Sequence, residues 1–393
     1  MNSKTLRQTF LGFFASHNHQ IVPSSSLVPN NDPTLYFTNA GMVPFKNVFI
    51  GQEVLPYKRA CSSQKCLRVS GKHNDFETVG KSPRHHTFFE MLGNFSFGDY
   101  FKEEAITLAW SFLTEELKIP ASRLKVTTFA GDETIPEDKE SFNIWNNHIG
   151  LPASSIIPLG KNDNFWSMGD VGPCGPCSEI FYFVGSENPC SQPPCSGPGC
   201  SCNRWVEIWN LVFMQFSKAR DGNLEVLTNP GVDTGMGLER LSAVMQGVRS
   251  NFDTDLFQPI IEEIGIMANV SYGDNSYVDT IMRTLADHAR TATMCIADGV
   301  FPDNKGREYV LRRIMRRAIY NGHKLGFVDN FFWLVCSQVV SRMGQVFPEL
   351  ITHRKMIETI CKWEETTFRR TLKKGLEMLM KEIEKVKGGG ETR

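Results

Sequence analysis

VEIWNLVFMQF, residues 206–216, is apolar at every position except Glu207, Asn210 and Gln215. A run this short and this apolar reads as a sheet strand covered on both faces. An amide and a carboxylate inside such a strand cost free energy unless each meets a partner. That partner is either neighbouring backbone or a bound ligand, and the stretch alone leaves both open. Other β-prone runs lie around it, LKVTTFA at 124–130 and SEIFYFVG at 178–185, in text rich in Gly, Pro, Asn and Phe up to about residue 249. These predict a sheet-based first domain over 1–249.

From about Asn251 the pattern becomes helical, with few prolines and dense Arg and Lys, predicting a mostly helical second domain over 250–393. In REYVLRRIMRRAIY, Leu311, Ile314, Met315 and Ala318 share one side while Arg312, Arg313, Arg316 and Arg317 share the other. From 355 to 386 the apolar positions Phe368, Leu372, Leu376, Leu379, Ile383 and Val386 repeat at helical spacing, before a GGGETR end that reads as a linker or a cut. At the other end, Leu6, Phe10, Phe13 and Phe14 predict an amphipathic helix. The chain reads there as having no signal peptide, and no apolar run anywhere is long enough for a membrane span.

The 393 residues are 41% apolar and carry 42 basic against 43 acidic side chains, a net charge of -1. Any contact with nucleic acid therefore needs a local patch, since no global field draws the chain to it. Eleven cysteines, several of them single in apolar surroundings, fit reduced thiols in the cytoplasm. The exception is a cluster in the insert at 188–202, where Cys190, Cys195, Cys200 and Cys202 follow a C-x4-C-x4-C-x-C pattern among Pro and Gly. Four thiolates so close suit a tetrahedral Zn²⁺, although the spacing differs from paired C-x2-C knuckles.

Two further stretches carry chemistry-bearing residues. SSQKCLRVSGKHND (62–75) and RHHTFFEMLGNFSFGDYF (84–101) read as two strands joined by a loop, placing Arg68, Lys72, His73, His85 and His86 where several cations converge. Such a cluster suits a triphosphate, because Arg forms bidentate bonds to phosphate oxygens and Lys adds a compact charge. Taken singly, each Arg or Lys reads first as an ordinary solvated residue, and only the cluster together points to a ligand. In NPGVDTGMGLERL (229–241), Asp233 precedes glycines at 235 and 237 and a helix expected to begin near Met236, with Arg240 in its first turns. Glycines there let backbone approach a ligand, a weak signal by itself.

Together these stretches resemble a known family. Arg68 in its strand-loop-strand setting resembles motif 2 of class II aminoacyl-tRNA synthetases, and GMGLERL resembles their motif 3. The wording of RHHTFFEMLGNFSFGDYF, NFWSMGDVGPCGPCSEIFY, EIWNLVFMQF, VDTGMGLERL and YVLRRIMRRA is similar to the alanyl branch over essentially the whole chain. The resemblance implies an α+β fold: an antiparallel sheet flanked by helices, then a helical domain that recognises the tRNA acceptor stem. It implies activation of L-alanine with ATP and Mg²⁺ to alanyl-adenylate, and transfer to tRNA(Ala). Arg68 would grip the α-phosphate, with Lys72 and His86 near the phosphates and Trp166, Ile208, Trp209 and Gly237 along the nucleotide. Arg240 would stack on one face of the adenine, with Phe88 or Phe89 on the other. Asn210, Val212 and Asp233 would enclose alanine, Asp233 meeting its ammonium. Glu207 is a Mg²⁺ ligand or an exposed acid. Asn304, ahead of the arginine stripe, would read a G·U pair in the acceptor stem, and Arg312, Arg313, Arg316 and Arg317 would follow its phosphates. The chain is expected to act as a monomer and, as a fragment or a natural short form, to lack the family's editing domain.

Overall fold

Sheet strands gather around the 206–216 run as its apolar pattern demands. In the computed structural model, which describes residues 1–29, 35–70, 73–169, 171–185, 190 and 193–388, the run is the middle of a strand from Trp205 to Lys218. Lys72 lies outside the described residues. The chain divides into two units, one made of Met1–His73 and Phe89–Leu256, the other of Asn74–Phe88 and Phe257–Arg393.

The first unit holds a sheet of nine strands among the described residues: β1 (Gln20–Ile21), β2 (Arg59–Leu67), β3 (Phe88–Ser96), β4 (Leu124–Phe129), β5 (Ile156–Leu159), β6 (Phe165–Ser167), β7 (Gly172–Phe183), β8 (Trp205–Lys218) and β9 (Leu224–Gly237). Their order is β1-β2-β3-β9-β8-β7-β4-β5, with β6 paired to β7. The centre is antiparallel, as expected, while β1 with β2 and β4 with β5 form parallel pairs at the two edges. The helix expected to begin near Met236 starts only after Gly237, as α3 (Leu238–Gln246), because residues 229–237 extend β9.

Two further helices flank this sheet. Asn2 caps α1 (Ser3–Ser16) by accepting the Thr5 N–H at 2.8 Å, and Leu6, Phe10 and Phe14 are fully buried with Phe112 and Trp209. Phe10, Phe14 and Phe112 all pack on the Trp209 ring at 5.7–6.2 Å between centroids. Each such aromatic contributes roughly 1.5–3 kcal/mol by leaving water. Behind it runs α2 (Lys102–Ser111), with Ile106 and Leu108 in the same core.

The second unit is helical, as expected: α4 (Gln258–Ala268), α5 (Ser276–Ala297), α6 (Gly306–Lys324), α7 (Phe332–Met343) and α8 (Arg354–Gly388). Its limits differ from a division at 249/250. Asp255 accepts hydrogen bonds from the Ser3 N–H and the Gln246 side chain, which keeps 250–256 with the first unit. Thr87 N–H donates to Asp287 at 3.0 Å, and Phe76 packs under Arg313 and Arg317, which places 74–88 with the helices. No described helix is long and apolar enough to cross a membrane. The apolar repeat of 355–386 lies on α8, but Leu379, Ile383 and Val386 are exposed.

Candidate active site

Register alone brings the predicted alanine residues together. Val212 on β8 lies opposite Asp233 on β9 and Cys177 on β7, while Asn210 lies opposite Gly235 and Glu179. Residues two apart on a strand share a face, and directly paired residues share it too. Asn210, Val212, Asp233 and Glu179 therefore occupy one face, and Leu211 and Phe213 point to the opposite core.

Glu207 breaks that alternation, standing three residues before Asn210. A register shift between Glu207 and Trp209 adds the missing step. Glu207 Oε2 accepts from Arg240 Nη1 at 2.8 Å, and its backbone carbonyl accepts from the same nitrogen at 3.1 Å. The expected Mg²⁺ ligand is thus an ion-pair partner of the arginine expected to stack on adenine. Its Oε1 has no hydrogen-bond partner among the described residues.

Asn210 Nδ2 donates to Glu179 Oε1 at 3.1 Å. Burial pushes the Glu179 carboxyl well above its ordinary range, the negative Glu207 pushes it further, and Arg240 opposes both. Glu179 was missed in the sequence, though SEIFYF carries the same signal as EIWN, one acid inside an apolar strand. Asp233 is 5% exposed and burial raises its carboxyl to about 7.

Arg240 is positioned by its neighbour. Glu239, buried at the start of α3, accepts the backbone N–H of Glu90 on β3 at 3.2 Å, tying the helix to the sheet. Glu90 itself takes two bonds of 2.7 Å from Arg7 of α1 and one from Ser63 of β2. Gly237, the residue before α3, leaves space beside Arg240, since a Cβ there would meet that side chain only at ordinary contact distance. Gly175 is required for a different reason: a Cβ would fall 1.8 Å from the Phe213 carbonyl oxygen. That close approach seats Trp166 of β6, opposite Gly175, against the cluster that contains Val212 and Cys177.

Arg68 follows β2, its Nε donating to the Asn39 carbonyl at 3.3 Å and its guanidinium 5.0 Å above the Phe89 ring. Phe88 is fully buried beneath Arg290, which leaves Phe89 as the partly exposed one of the pair. Ile208 and Trp209 place their side chains in the core behind the sheet, so only their backbone is left for a ligand on the other face. Cys174 and Cys177 are buried packing thiols, burial raising Cys174 to about 11 and Cys177 well above its ordinary value. A cavity of about 610 Å³ lined by Val48, Tyr57, Phe97, Ser217 and Leu227 contains none of the predicted residues.

In the helical unit His86 is buried, stacks on Phe257 and faces Asp287 Oδ1 at 3.3 Å. Burial alone would raise the Asp287 carboxyl, but hydrogen bonds from His288 and His86 hold it well below the ordinary range. The arginine stripe is occupied by protein groups. Arg316 Nε lies 2.7 Å and Arg312 Nε 3.4 Å from the fully buried carboxylate of Glu364. Arg317 donates to the Phe76 carbonyl, and Arg313 pairs with Glu77 at 2.9 Å. Asn304 is exposed, and its side-chain oxygen accepts from Arg312. In the insert, the Cys190, Cys195, Cys200 and Cys202 sulfurs lie within 4.8 Å of one another.

One face of the nine-stranded sheet thus carries Asn210, Val212, Asp233 and Glu179, with the helix-borne Arg240 paired to Glu207. The family model for tRNA synthetases class II (A) matches residues 5–392, and the chain belongs to that family. It is 52% identical over 389 residues to an alanine–tRNA ligase of Acidithiobacillus ferridurans, covering 99% of this chain and 43% of that protein. To the alanine–tRNA ligase of Pseudoalteromonas translucida it is 53% identical over 391 residues, 99% of this chain and 43% of that protein. The chain thus spans less than half the length of these relatives. A pyrrolysyl tRNA synthetase of Desulfitobacterium hafniense resembles it with a TM-score of 0.36 at 10% identity, over 64% of this chain and 71% of that one.

Proposed function

We propose that the chain carries the aminoacylation chemistry of an alanine–tRNA ligase: ATP-dependent activation of L-alanine to alanyl-adenylate and transfer to tRNA(Ala), in the cytoplasm and as a monomer. The observation that carries this reading is the shared face of Asn210, Val212 and Asp233, fixed by strand register, with Arg240 reached through Glu207.

Asp233 receives the alanine ammonium, which supplies the positive charge its buried carboxyl lacks. Asn210 hydrogen-bonds the amino acid while Glu179 holds its amide in place. Val212 limits the room around the methyl, so selection is by size. Arg240 lies over the adenine and Phe89 takes its other face, while Trp166 and Gly237 border the nucleotide, with Ile208 and Trp209 offering backbone only. Arg68 binds the α-phosphate, with Lys72 a further phosphate contact. Glu207 suits Mg²⁺, a hard cation commonly held by one or two carboxylates and the substrate's phosphates, because only its Oε2 is paired among the described residues and its side chain is one-third exposed. When bound, the ion neutralises phosphate charge.

The alanine carboxylate oxygen attacks the α-phosphorus and pyrophosphate leaves. The terminal ribose hydroxyl of tRNA then attacks the adenylate carbonyl and AMP leaves. Positioning and electrostatics supply most of the rate, with Arg68 meeting charge that grows on the α-phosphate. Asn304 and the arginines of α6 are the proposed acceptor-stem contacts, with Arg313 the most exposed of the four.

Alanine-dependent exchange of labelled pyrophosphate into ATP tests the reading. Wild-type protein should exchange, and Asp233→Ala should lose activity on the order of 100-fold or more, the scale of a lost buried charge pair. Unchanged exchange in that variant would overturn the alanine pocket.

A further inference from the structure

The hairpin between β7 and β8 holds a second feature, remote in kind from the alanine and ATP residues. Its base is closed by Trp205 paired with Phe183 and by the Val184 N–H donating to the Arg204 carbonyl at 2.9 Å. The nineteen-residue stretch 185–203 joins the two strands, and its described residues form no strand or helix. Loops beyond about 12–15 residues without secondary structure are uncommon in compact domains and need something to order them. A Cys-rich loop with no apolar core of its own needs a cross-link or a metal.

The sulfurs decide between the two by distance. Cys190 Sγ lies 3.6 Å from Cys200 Sγ, and Cys195 Sγ lies 3.6 Å from Cys202 Sγ, with all four sulfurs mutually within 4.8 Å. A disulfide requires about 2.05 Å, so neither pair is bonded. A tetrahedral ion with metal–sulfur bonds of about 2.3 Å spaces its sulfurs about 3.8 Å apart, close to both separations. Left-handed backbone at Gly197, Gly199 and Asn203 folds the loop back around the cluster.

We propose that Cys190, Cys195, Cys200 and Cys202 bind one Zn²⁺ as a closed structural site, and that this clasp roofs the outer strands of the sheet. Gly197 and Gly199 come close enough to β4 and β5 that a Cβ would touch Lys125, Ile157 or Leu159. Lys125 also lies over the Trp205 ring at 5.3 Å. The ion thus holds a loop over β5, the outermost strand, where unpaired backbone invites association with other chains.

Protein purified without added metal should contain one zinc per chain by elemental mass spectrometry, and X-ray absorption at the zinc edge should show four sulfur neighbours at about 2.3 Å. Cys195→Ser with Cys202→Ser should bind less than a tenth as much. Should that variant fail to fold, the absorption spectrum of the unaltered protein decides alone. Chelation should speed hydrogen exchange at 193–204 and promote self-association. Protein without zinc, whether its four thiols are free or paired in disulfides, would overturn the proposal. Iron in zinc's place, nitrogen or oxygen neighbours, or full zinc content in the serine variant would overturn it equally.

Discussion

Asn210 and Glu179 face each other across β8 and β7 and share one hydrogen bond of 3.1 Å, from Nδ2 to Oε1. That bond fixes which way the amide of Asn210 points, and so which of its groups would meet alanine in the proposed pocket. Glu179→Ala should raise the alanine KM about tenfold, the effect of one buried hydrogen bond of roughly 1–1.5 kcal/mol. Glu179→Gln keeps a carbonyl oxygen as acceptor and should change it less than about threefold by the same scale. Pyrophosphate exchange at varied alanine reads both, and equal KM values in the two variants would show that Glu179 does not orient Asn210.

Asp233 predicts a linked pH dependence of activity and stability. Burial raises its carboxyl to about 7, so between the ordinary carboxylate value of 3.8 and that point the folded protein keeps a proton that the unfolded chain has released. Stability therefore falls as pH rises through this window, and above 7 the full cost applies, up to about 4 kcal/mol. Asp233→Asn removes the titration, so the variant should gain stability over the wild type between pH 5 and pH 8 in denaturant melts. Binding an ammonium requires the ionised carboxylate. Wild-type kcat/KM for alanine should accordingly rise toward pH 7 and level off, while the Asn variant stays inactive throughout. A wild-type profile flat from pH 5 to 8 would contradict this role.

What could be read in advance, and what could not, follows from the range of the forces. The β8 strand was legible because its apolar pattern is local, and Asn210 and Glu207 stood out there as polar exceptions. Their arrangement was not. A register shift between Glu207 and Trp209 decides which face Glu207 joins, and no residue in that stretch advertises a bulge. The extension of β9 through 229–237 was hidden because glycine and proline suggest a loop, whereas pairing with β8 and β3 overrides their low strand propensity. The arginine face of α6 was visible as a stripe, but its partner Glu364 is 48 residues away on α8 and follows no local pattern. Trp209 was placed beside the nucleotide by resemblance, while its bulk is what holds α1 to the sheet.

Arg240 and Glu207 share one ion pair, yet their proposed roles can be separated. Arg240→Ala should raise the ATP KM about tenfold, from loss of a cation–π contact of roughly 1–2 kcal/mol. Glu207→Gln leaves the backbone carbonyl that also receives Arg240. Its ATP KM should rise only about threefold by the same conversion, while the Mg²⁺ concentration for half-maximal exchange rises about tenfold, as expected for one lost carboxylate ligand. An unchanged Mg²⁺ midpoint would remove Glu207 as a ligand and leave it as the partner of Arg240.

The stripe on α6 combines fold and function in a way that paired variants can divide. Glu364 is fully buried and holds Arg316 at 2.7 Å, so Arg316→Ala leaves a buried carboxylate with only the more distant Arg312. Removing one partner of such a pair costs on the order of 3 kcal/mol, which should appear as a lower Tm. Arg313 is half exposed and pairs with the still more exposed Glu77, a contact worth less than about 1 kcal/mol. Arg313→Ala, which also loses the stacking on Phe76, should lower Tm much less than Arg316→Ala, weaken tRNA(Ala) binding several-fold and reduce the salt dependence of binding by about one phosphate contact. Filter binding across a salt series, beside thermal melts, gives both readouts. Equal losses of tRNA affinity with unaltered Tm in both variants would mean that the whole stripe tracks phosphates and that the Glu364 pair contributes nothing to the fold.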